Sequence, residues 1–288
     1  MITQAFEQIA SWLSPLRATD WFMAYCVVLA FLAGFEMFFP AFNGPPQRHQ
    51  RWPTNIGIGL FNIGLATVVP VTAVIGAKWA QDNGFGLLNI FAVPSWVAVI
   101  ATFAISTLVS YLFHVSMHKV HLFWRMHRVH HSDTHLDIST SLRNHPLELV
   151  AMLFVVVLSA IFFGLNPVAL AVVQAIESIT NAISHANLRL PERIDRPLRW
   201  VFVTPNMHCL HHSSYQPETD SNYGQVFSIW DRLFGTYSAV PRSGYDAMQI
   251  GLKEIRDERA SDIMWQIKSP LLRSIEPVSE SSAESHRK

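Results

Sequence analysis

Hydrophobic and polar positions alternate along this chain in long blocks. Trp21 to Phe42 is an apolar run whose one charge is Glu36, and Asn43-Gly44-Pro45-Pro46 ends it. Asn55 to Ala77 is uncharged, with Pro70 and several glycines inside it, and Val93 to Phe113 is a third uncharged run. Leu147 to Gly164 and Val168 to Ser184 follow, separated by a break at Asn166-Pro167. As a helix, each run of about 20 residues is long enough to cross a hydrocarbon core of roughly 30 Å. Proline and glycine are tolerated in such helices where neighbours satisfy the freed backbone groups. The short break between the last two runs predicts a tight helical hairpin, fully crossing or re-entrant. The pattern predicts an all-α integral membrane bundle of four to five membrane helices. The polar stretches after Phe113 and Ser184 supply a helical cap.

The blocks also divide the chain. Residues 1–20, with Trp12 and Pro15, read as an N-terminal interfacial segment; no basic stretch precedes it as in a secretory signal. Residues 21–240 are expected to hold the membrane helices and the chemistry. Residues 241–288 are expected as a polar C-terminal tail, disordered over the Ser/Glu-rich end from Val278 to Lys288.

Composition agrees with membrane residence: half of the residues are hydrophobic and only 15% are charged, against about a quarter in ordinary soluble domains. Net charge is zero, so nothing points to nucleic acid. Lysine and arginine are distributed unevenly. If all five runs cross, Arg48, Arg51 and every Lys and Arg from Lys119 to Arg199 lie on one side, with Arg17 and Lys78 on the other. The positive side is expected to be cytoplasmic. Cys26 and Cys209 form no disulfide framework and are expected to be packing residues.

The polar segments carry the chemistry. There are 14 histidines, and all except His49 and His286 lie between His114 and His212. Three short boxes stand out: His114-Val-Ser-Met-His118, His127-Arg-Val-His130-His131 and His208-Cys-Leu-His211-His212. Positions i, i+3 and i+4 share a helix face, so each box presents its rings together. A lone histidine is most often solvated or hydrogen-bonded; three face-matched boxes point to metal, because neutral imidazole is the commonest protein ligand for iron, copper and zinc. Eight rings overfill a single four-coordinate zinc and suit two metals.

In this order, and flanked by these apolar runs, the boxes resemble those of the fatty acid hydroxylase/sterol desaturase superfamily, integral-membrane di-iron enzymes. Arg51-Trp-Pro-Thr-Asn55, Ser141-Leu-Arg-Asn-His145-Pro-Leu-Glu148 and Trp230-Asp-Arg-Leu-Phe-Gly-Thr-Tyr237 are also similar. The likeness runs from about Phe22 to Tyr237. It implies two iron ions, O2 as co-substrate, and oxidation of a lipid C–H bond, as hydroxylation in preference to desaturation. It also implies electrons from a separate donor, such as a ferredoxin or cytochrome with its reductase. His185 is implied as a ninth ligand. Asn181 is similar to an asparagine that acts through water in membrane acyl desaturases; a helix–helix hydrogen bond is the alternative. His145 is expected as a ligand or as a donor behind one, and His121 and His135 as loop residues.

An all-nitrogen ligand set leaves metal charge uncompensated, so carboxylates are expected behind the rings. Asp133, Asp137, Glu148 and Asp231 lie near the boxes in sequence. Glu177 is an acid inside an apolar run and shares a helix face with Asn181 and His185, so it is expected to hydrogen-bond a liganding histidine. Phe113, Phe123, Trp124 and Trp200 are expected along a lateral lipid route or in an interfacial belt. Arg189, Arg193, Arg196 and Arg199 are candidates for docking the electron donor. A membrane metal transporter and a catalytically silent scaffold are the competing classes. The first wants ligands at the midplane, and the second is disfavoured by the full set of box histidines.

Overall fold

The computed structural model describes residues 18–41, 48–68 and 72–275. The expected interfacial segment, apart from its last three residues, and the expected disordered end lie outside the described residues. Among those described, the long elements are all helical, and the β pairing consists of isolated bridges, Phe202 with Phe227 and Ser213 with Ile250.

Among the described residues, seven helices of ten or more residues lead to the second polar region: α1 (Ala18–Phe38), α2 (Arg48–Val68), α3 (Ala73–Asp82), α4 (Ser95–Lys119), α5 (His121–His131), α6 (Pro146–Phe163) and α7 (Pro167–His185). Shorter helices α8 (Glu192–Leu198), α9 (Pro205–His211) and α10 (Ile263–Lys268) follow, with single turns between them. Among the described residues, four segments are long and apolar enough to cross a membrane: Arg48–Ile90, Ser95–Lys119, Pro146–Phe163 and Pro167–His185. Met23–Phe38 is a shorter apolar helix. The second apolar run does not form one plain crossing. It is shared between α2 and α3, and α2 starts inside the cap, where Arg51 and Asn55 bond Asp133.

The α6–α7 hairpin shows why the sequence folds as it does. The His145 ring accepts the Leu147 N–H at 3.1 Å and caps α6, with Pro146 at its first position. Gly164 closes α6 at φ 67°, a left-handed conformation that glycine adopts without penalty. Asn166 Oδ1 then accepts the Ala169 N–H at 2.9 Å and caps α7. A side chain at Gly86 would collide with the Gly164 backbone, so this turn seats tightly on the α3 end. Ala73 and Ala77 cluster with Ala160, Leu165, Leu170 and Val173, and the three alanines are small enough to let α3 and α6 approach. On its other face α6 exposes Leu147, Val150, Phe154, Leu158 and Phe162 at helical spacing. Such a stripe is suited to lipid and not to water.

The cap is tied to the membrane helices through buried polar groups. Arg51, on the first turn of α2, bonds Asp133 and also reaches Asp137 at 2.8 Å and the His135 carbonyl at 2.7 Å. Asn55, one turn on, donates to Asp133 at 2.8 Å and Ser139 at 2.9 Å. It accepts from the fully buried Arg143 at 2.7 Å. Arg143 also donates to the Val129 carbonyl at 2.8 Å. The Arg51–Asn55 and Ser141–Glu148 motifs are thus two sides of one clamp. Glu36 on α1 joins it, accepting the N–H groups of Ile138 at 3.1 Å and Asn187 at 3.0 Å. Residues 241–275, expected as part of a tail, pack onto this cap. Gly251 N–H donates to the His212 carbonyl at 3.0 Å, and the buried Gln266 accepts from Ser132 at 3.1 Å.

Candidate metal centre

Four segments deliver the rings. The end of α4 carries His114 and His118, and α5 turns back after Val120 with His127, His130 and His131. The end of α7 carries His185, and α9 with its C-cap carries His208, His211 and His212. The structure brings all nine together in two buried groups: His114, His118, His127, His131 and His211, and then His130, His185, His208 and His212. Within each group one nitrogen per ring lies within 4.8 Å of all the others. Each three-histidine box is split between the groups, so α5 and α9 straddle the pair.

The ring tautomers test whether metal fits. A neutral imidazole has one N–H. His114 Nδ1 donates to the Tyr223 carbonyl at 2.7 Å, and His211 Nδ1 to the Ser221 carbonyl at 2.7 Å. His185 Nδ1 donates to the Asn181 carbonyl at 2.7 Å, and His127 Nδ1 to Glu148 Oε1 at 2.9 Å. Those four rings therefore turn a bare Nε2 lone pair inward. His114 Nε2 and His127 Nε2 face each other at 3.2 Å, acceptor to acceptor. His185 Nε2 has His208 Nε2 at 2.9 Å and His130 Nε2 at 3.0 Å. For the His114–His127 pair, where both protons are held on Nδ1, such crowding is repulsive unless a cation lies between the lone pairs. Protons do not fill that role: burial, and then the neighbouring imidazoles, hold His130, His131, His208 and His212 well below the ordinary histidine range. Burial also takes His211 down to about 3. Two groups of neutral nitrogen donors fit two divalent ions.

Supports lie behind the rings. Asp231 accepts the N–H groups of Tyr223 at 2.7 Å and Gly224 at 2.9 Å, fixing the loop whose carbonyls receive His114 and His211. Asn222, between those carbonyls, holds a left-handed φ of 55°. Its amide donates to the Met207 and Ser238 carbonyls at 3.1 and 2.9 Å. Asparagine is among the few residues that tolerate this conformation. Sequence reading named Asp231 but missed the loop carbonyls, because a backbone acceptor leaves no residue-type signal.

Other expectations need correction. Glu177 touches no histidine; its hydrogen bond comes from Ser110 at 2.7 Å, and Glu148 fills the place expected for it. The Asn181 amide donates to the Ser141 carbonyl at 3.3 Å, so its side chain makes the inter-element contact while its backbone holds His185. His145 is outside both groups and touches no member of them. Its Nε2 donates to the Ile267 carbonyl at 3.1 Å while Nδ1 caps α6. Asp133 and Asp137 serve Arg51 and not the rings. Burial alone would raise Asp133, but the Arg51 charge and hydrogen bonds outweigh it and hold that carboxyl well below the usual range. Cys209 packs with Leu136, Met248 and Ile250, where burial pushes its thiol up. His121 and His135 belong to neither group.

A cavity of about 380 Å³ opens onto both groups, reaching His114 and His127 of one and His130, His185 and His208 of the other. It runs between α4, α6 and α7, past Phe113, Met117, Leu149 and Met152. Of the four aromatics expected on a lipid route, only Phe113 lines it. Trp124 packs beside His118, with ring centroids 5.2 Å apart, and Trp200 lies exposed under Arg232.

Comparison with known proteins agrees with this geometry. The fatty acid hydroxylase family profile matches residues 99–236. The chain is 30% identical over 232 residues to ornithine lipid hydroxylase OlsE of Rhizobium tropici, covering 77% of this chain and 68% of that one. It is 34% identical over 131 residues to alkylglycerol monooxygenase of Caenorhabditis elegans, and 31% over 138 residues to that of Homo sapiens. Those two matches cover 45% of this chain, and 25% and 28% of the relatives' own length. No solved structure matches the chain significantly. The profile spans all three histidine boxes, and the OlsE match extends over most of both chains: the chain belongs to the fatty acid hydroxylase family.

Proposed function

We propose that this protein is a membrane-bound di-iron oxygenase that oxidises a C–H bond of a lipid, by hydroxylation in preference to desaturation. The observation that carries the reading is the pair of inward-turned nitrogen groups, five rings and four, opening on one cavity between membrane helices. Zinc suits imidazole but has no redox chemistry, whereas monooxygenase and hydroxylase, the names of the relatives, denote oxygen chemistry that needs a redox-active ion. Two bound irons would supply reductive activation of O2 and oxidation of the C–H bond.

The residues of the chain do the rest. The five- and four-ring groups would each hold one ion. Glu148, Ser221, Tyr223 and the Asn181 carbonyl keep the ring protons on Nδ1, which leaves Nε2 free to bind metal. Phe113, Met117, Leu149 and Met152 would position an alkyl chain above the rings and keep water away. Ser178 lines the same cavity and is exposed on α7, which supports lateral entry from the bilayer. The histidine cap lies on the cytoplasmic side in this reading, from the excess of Lys and Arg around it. Electrons come from a separate ferredoxin or cytochrome with its reductase. Of the four candidate docking arginines, Arg199 is buried against Asp195 and Arg189 pairs with Asp246 at 2.8 Å. Arg193 and Arg196 are the exposed pair.

A transporter would place its ligands along a pathway near the midplane; here the rings sit at or near helix ends and four of them are braced by fixed acceptors. The test is purification of the full chain with metal analysis, followed by incubation with membrane lipid extract, O2 and a reductant. Two irons per chain and lipids that gain one oxygen atom support the proposal. Loss of two hydrogens instead would make it a desaturase. Bound iron without O2 consumption under any reductant and lipid would defeat the oxygenase reading.

A further inference from the structure

One carboxylate lines the cavity without serving the metal centre. Glu177 has a single hydrogen bond among the described residues, from Ser110, and otherwise faces the cavity. Gln174, Ser178 and Asn181 line the same space, and with His185 they follow helical spacing, forming a polar stripe on α7 that rises from the metal-facing ring. Away from the rings and Glu148, the other walls hold Phe113, Met117, Leu149 and Met152, with Asn144 and Gln225 as their polar members. Ser110 is one helical turn from His114, and Glu177 is two turns from His185. These spacings put the carboxylate about 6–12 Å along the helices from the ring level. No lysine or arginine lines the cavity among the described residues.

A purely hydrocarbon ligand would leave this stripe without partners in a membrane interior, where unpaired polar groups are costly. A ligand whose polar end is a carboxylate would set a second acid beside Glu177, with no lysine or arginine in the lining among the described residues to balance its charge. A ligand that donates hydrogen bonds satisfies both the carboxylate and the neighbouring amides. We propose that the Glu177 stripe receives the hydrogen-bond-donating polar group of the substrate, a hydroxyl or an amine, and selects lipids that carry such a group over free fatty acids. The alkyl portion then lies against the apolar walls, with the oxidised carbon at the imidazole floor and the donor one to two turns away. The reaction in this assignment rests on the oxygenase reading, but the binding preference belongs to the cavity wall alone.

The experiment separates the two. The full chain in neutral-lipid nanodiscs is photolabelled with three diazirine probes of equal chain length: a monoalkylglycerol ether, an alkylamine and a fatty acid. Labelling of peptides from α4 and α7 is read by mass spectrometry. Both donor probes are expected to label these peptides at least tenfold more than the fatty acid. Glu177→Leu should cut both at least fivefold. Glu177→Gln should keep the glycerol ether within twofold and lose the amine preference, a split that a merely structural role would not produce. Helical circular dichroism and bound iron, measured on each variant, show that the fold is retained. Equal labelling by the fatty acid, or unchanged labelling in folded Glu177→Leu, overturns the assignment. Donor-selective labelling without any oxidised product would sink the oxygenase reading and leave the pocket standing. Oxidised product with unselective labelling would do the reverse.

Discussion

The two nitrogen groups are built differently. In the five-ring group, three rings are braced from outside their own helices: His127 by Glu148, His114 by the Tyr223 carbonyl and His211 by the Ser221 carbonyl. In the four-ring group only His185 has such a brace, and it comes from its own helix at Asn181. The Nδ1 atoms of His130, His208 and His212 are buried without a hydrogen bond. The first group owes its ring orientations to polar contacts and has a ring to spare for a four-coordinate ion. The second owes them to the packing of α5, α7 and α9 and has none. Ligand redundancy and polar bracing therefore fall on the same side.

The largest expected effect breaks this asymmetry directly. His185→Ala leaves three rings in the second group and removes the Nε2 that lies 3.0 Å from His130 Nε2 and 2.9 Å from His208 Nε2. It should lower iron from about two per chain to about one and reduce O2-dependent turnover at least roughly 100-fold. His118→Ala leaves four rings in the first group, and the ring it removes makes no hydrogen bond through either nitrogen. Most of the iron should remain. Metal analysis and turnover on both variants decide it, and equal loss in both would show that the fifth ring is not spare.

Arg51→Met should act on both groups alike, because it strips Asp133 and Asp137 of their cation at the clamp beneath the loop that follows α5. Removing one partner of a buried ion pair costs about 3–5 kcal/mol. Thermal unfolding of the detergent-solubilised protein should drop, and iron should leave both sites together. Loss from one group alone would place the clamp under that group and not under the whole cap.

Glu148→Ala is smaller and selective. It frees His127 to turn or to change tautomer, and loss of a group behind a metal-bound histidine costs about 10–100-fold in affinity. The five-ring site should weaken while the four-ring site keeps its metal. Titration of the metal-free variant with iron should turn from two tight equivalents to one tight and one weak. Two equally weakened equivalents would mean that Glu148 acts on the cavity as a whole.

Much of this was legible in the sequence, and what was not has a physical reason. Uncharged runs of bilayer length leave few alternatives to membrane helices, and histidines at i, i+3 and i+4 share a face. So the bundle, the hairpin and the nine rings that converge could be read. The division of each box could not, because one helix face about 100° wide can serve one ion or straddle two. Glu177 misled because an acid in an apolar run is read as functional whatever it faces. Its face is the cavity, and the carboxylate behind a ring proved to be Glu148, in the first turn of the preceding helix. The role of Arg51 was hidden because its partners, Asp133 and Asp137, lie 82 and 86 positions away.

The smallest effect sharpens the comparison at its one brace in the four-ring group. His185 Nδ1 donates to the backbone carbonyl of Asn181, which any residue supplies. The Asn181 side chain instead donates to the Ser141 carbonyl at 3.3 Å, a long hydrogen bond between α7 and the 138–142 turn. Asn181→Ala should therefore cost about 1 kcal/mol of stability at most, through that lost bond. It should leave two irons per chain and the affinity of the four-ring site unchanged. If the side chain acted through water on the metal, as the resemblance to acyl desaturases implies, the same variant would lose iron from the four-ring site and spare the five-ring site. Iron content of Asn181→Ala, set beside that of Glu148→Ala, separates a backbone brace from a side-chain one.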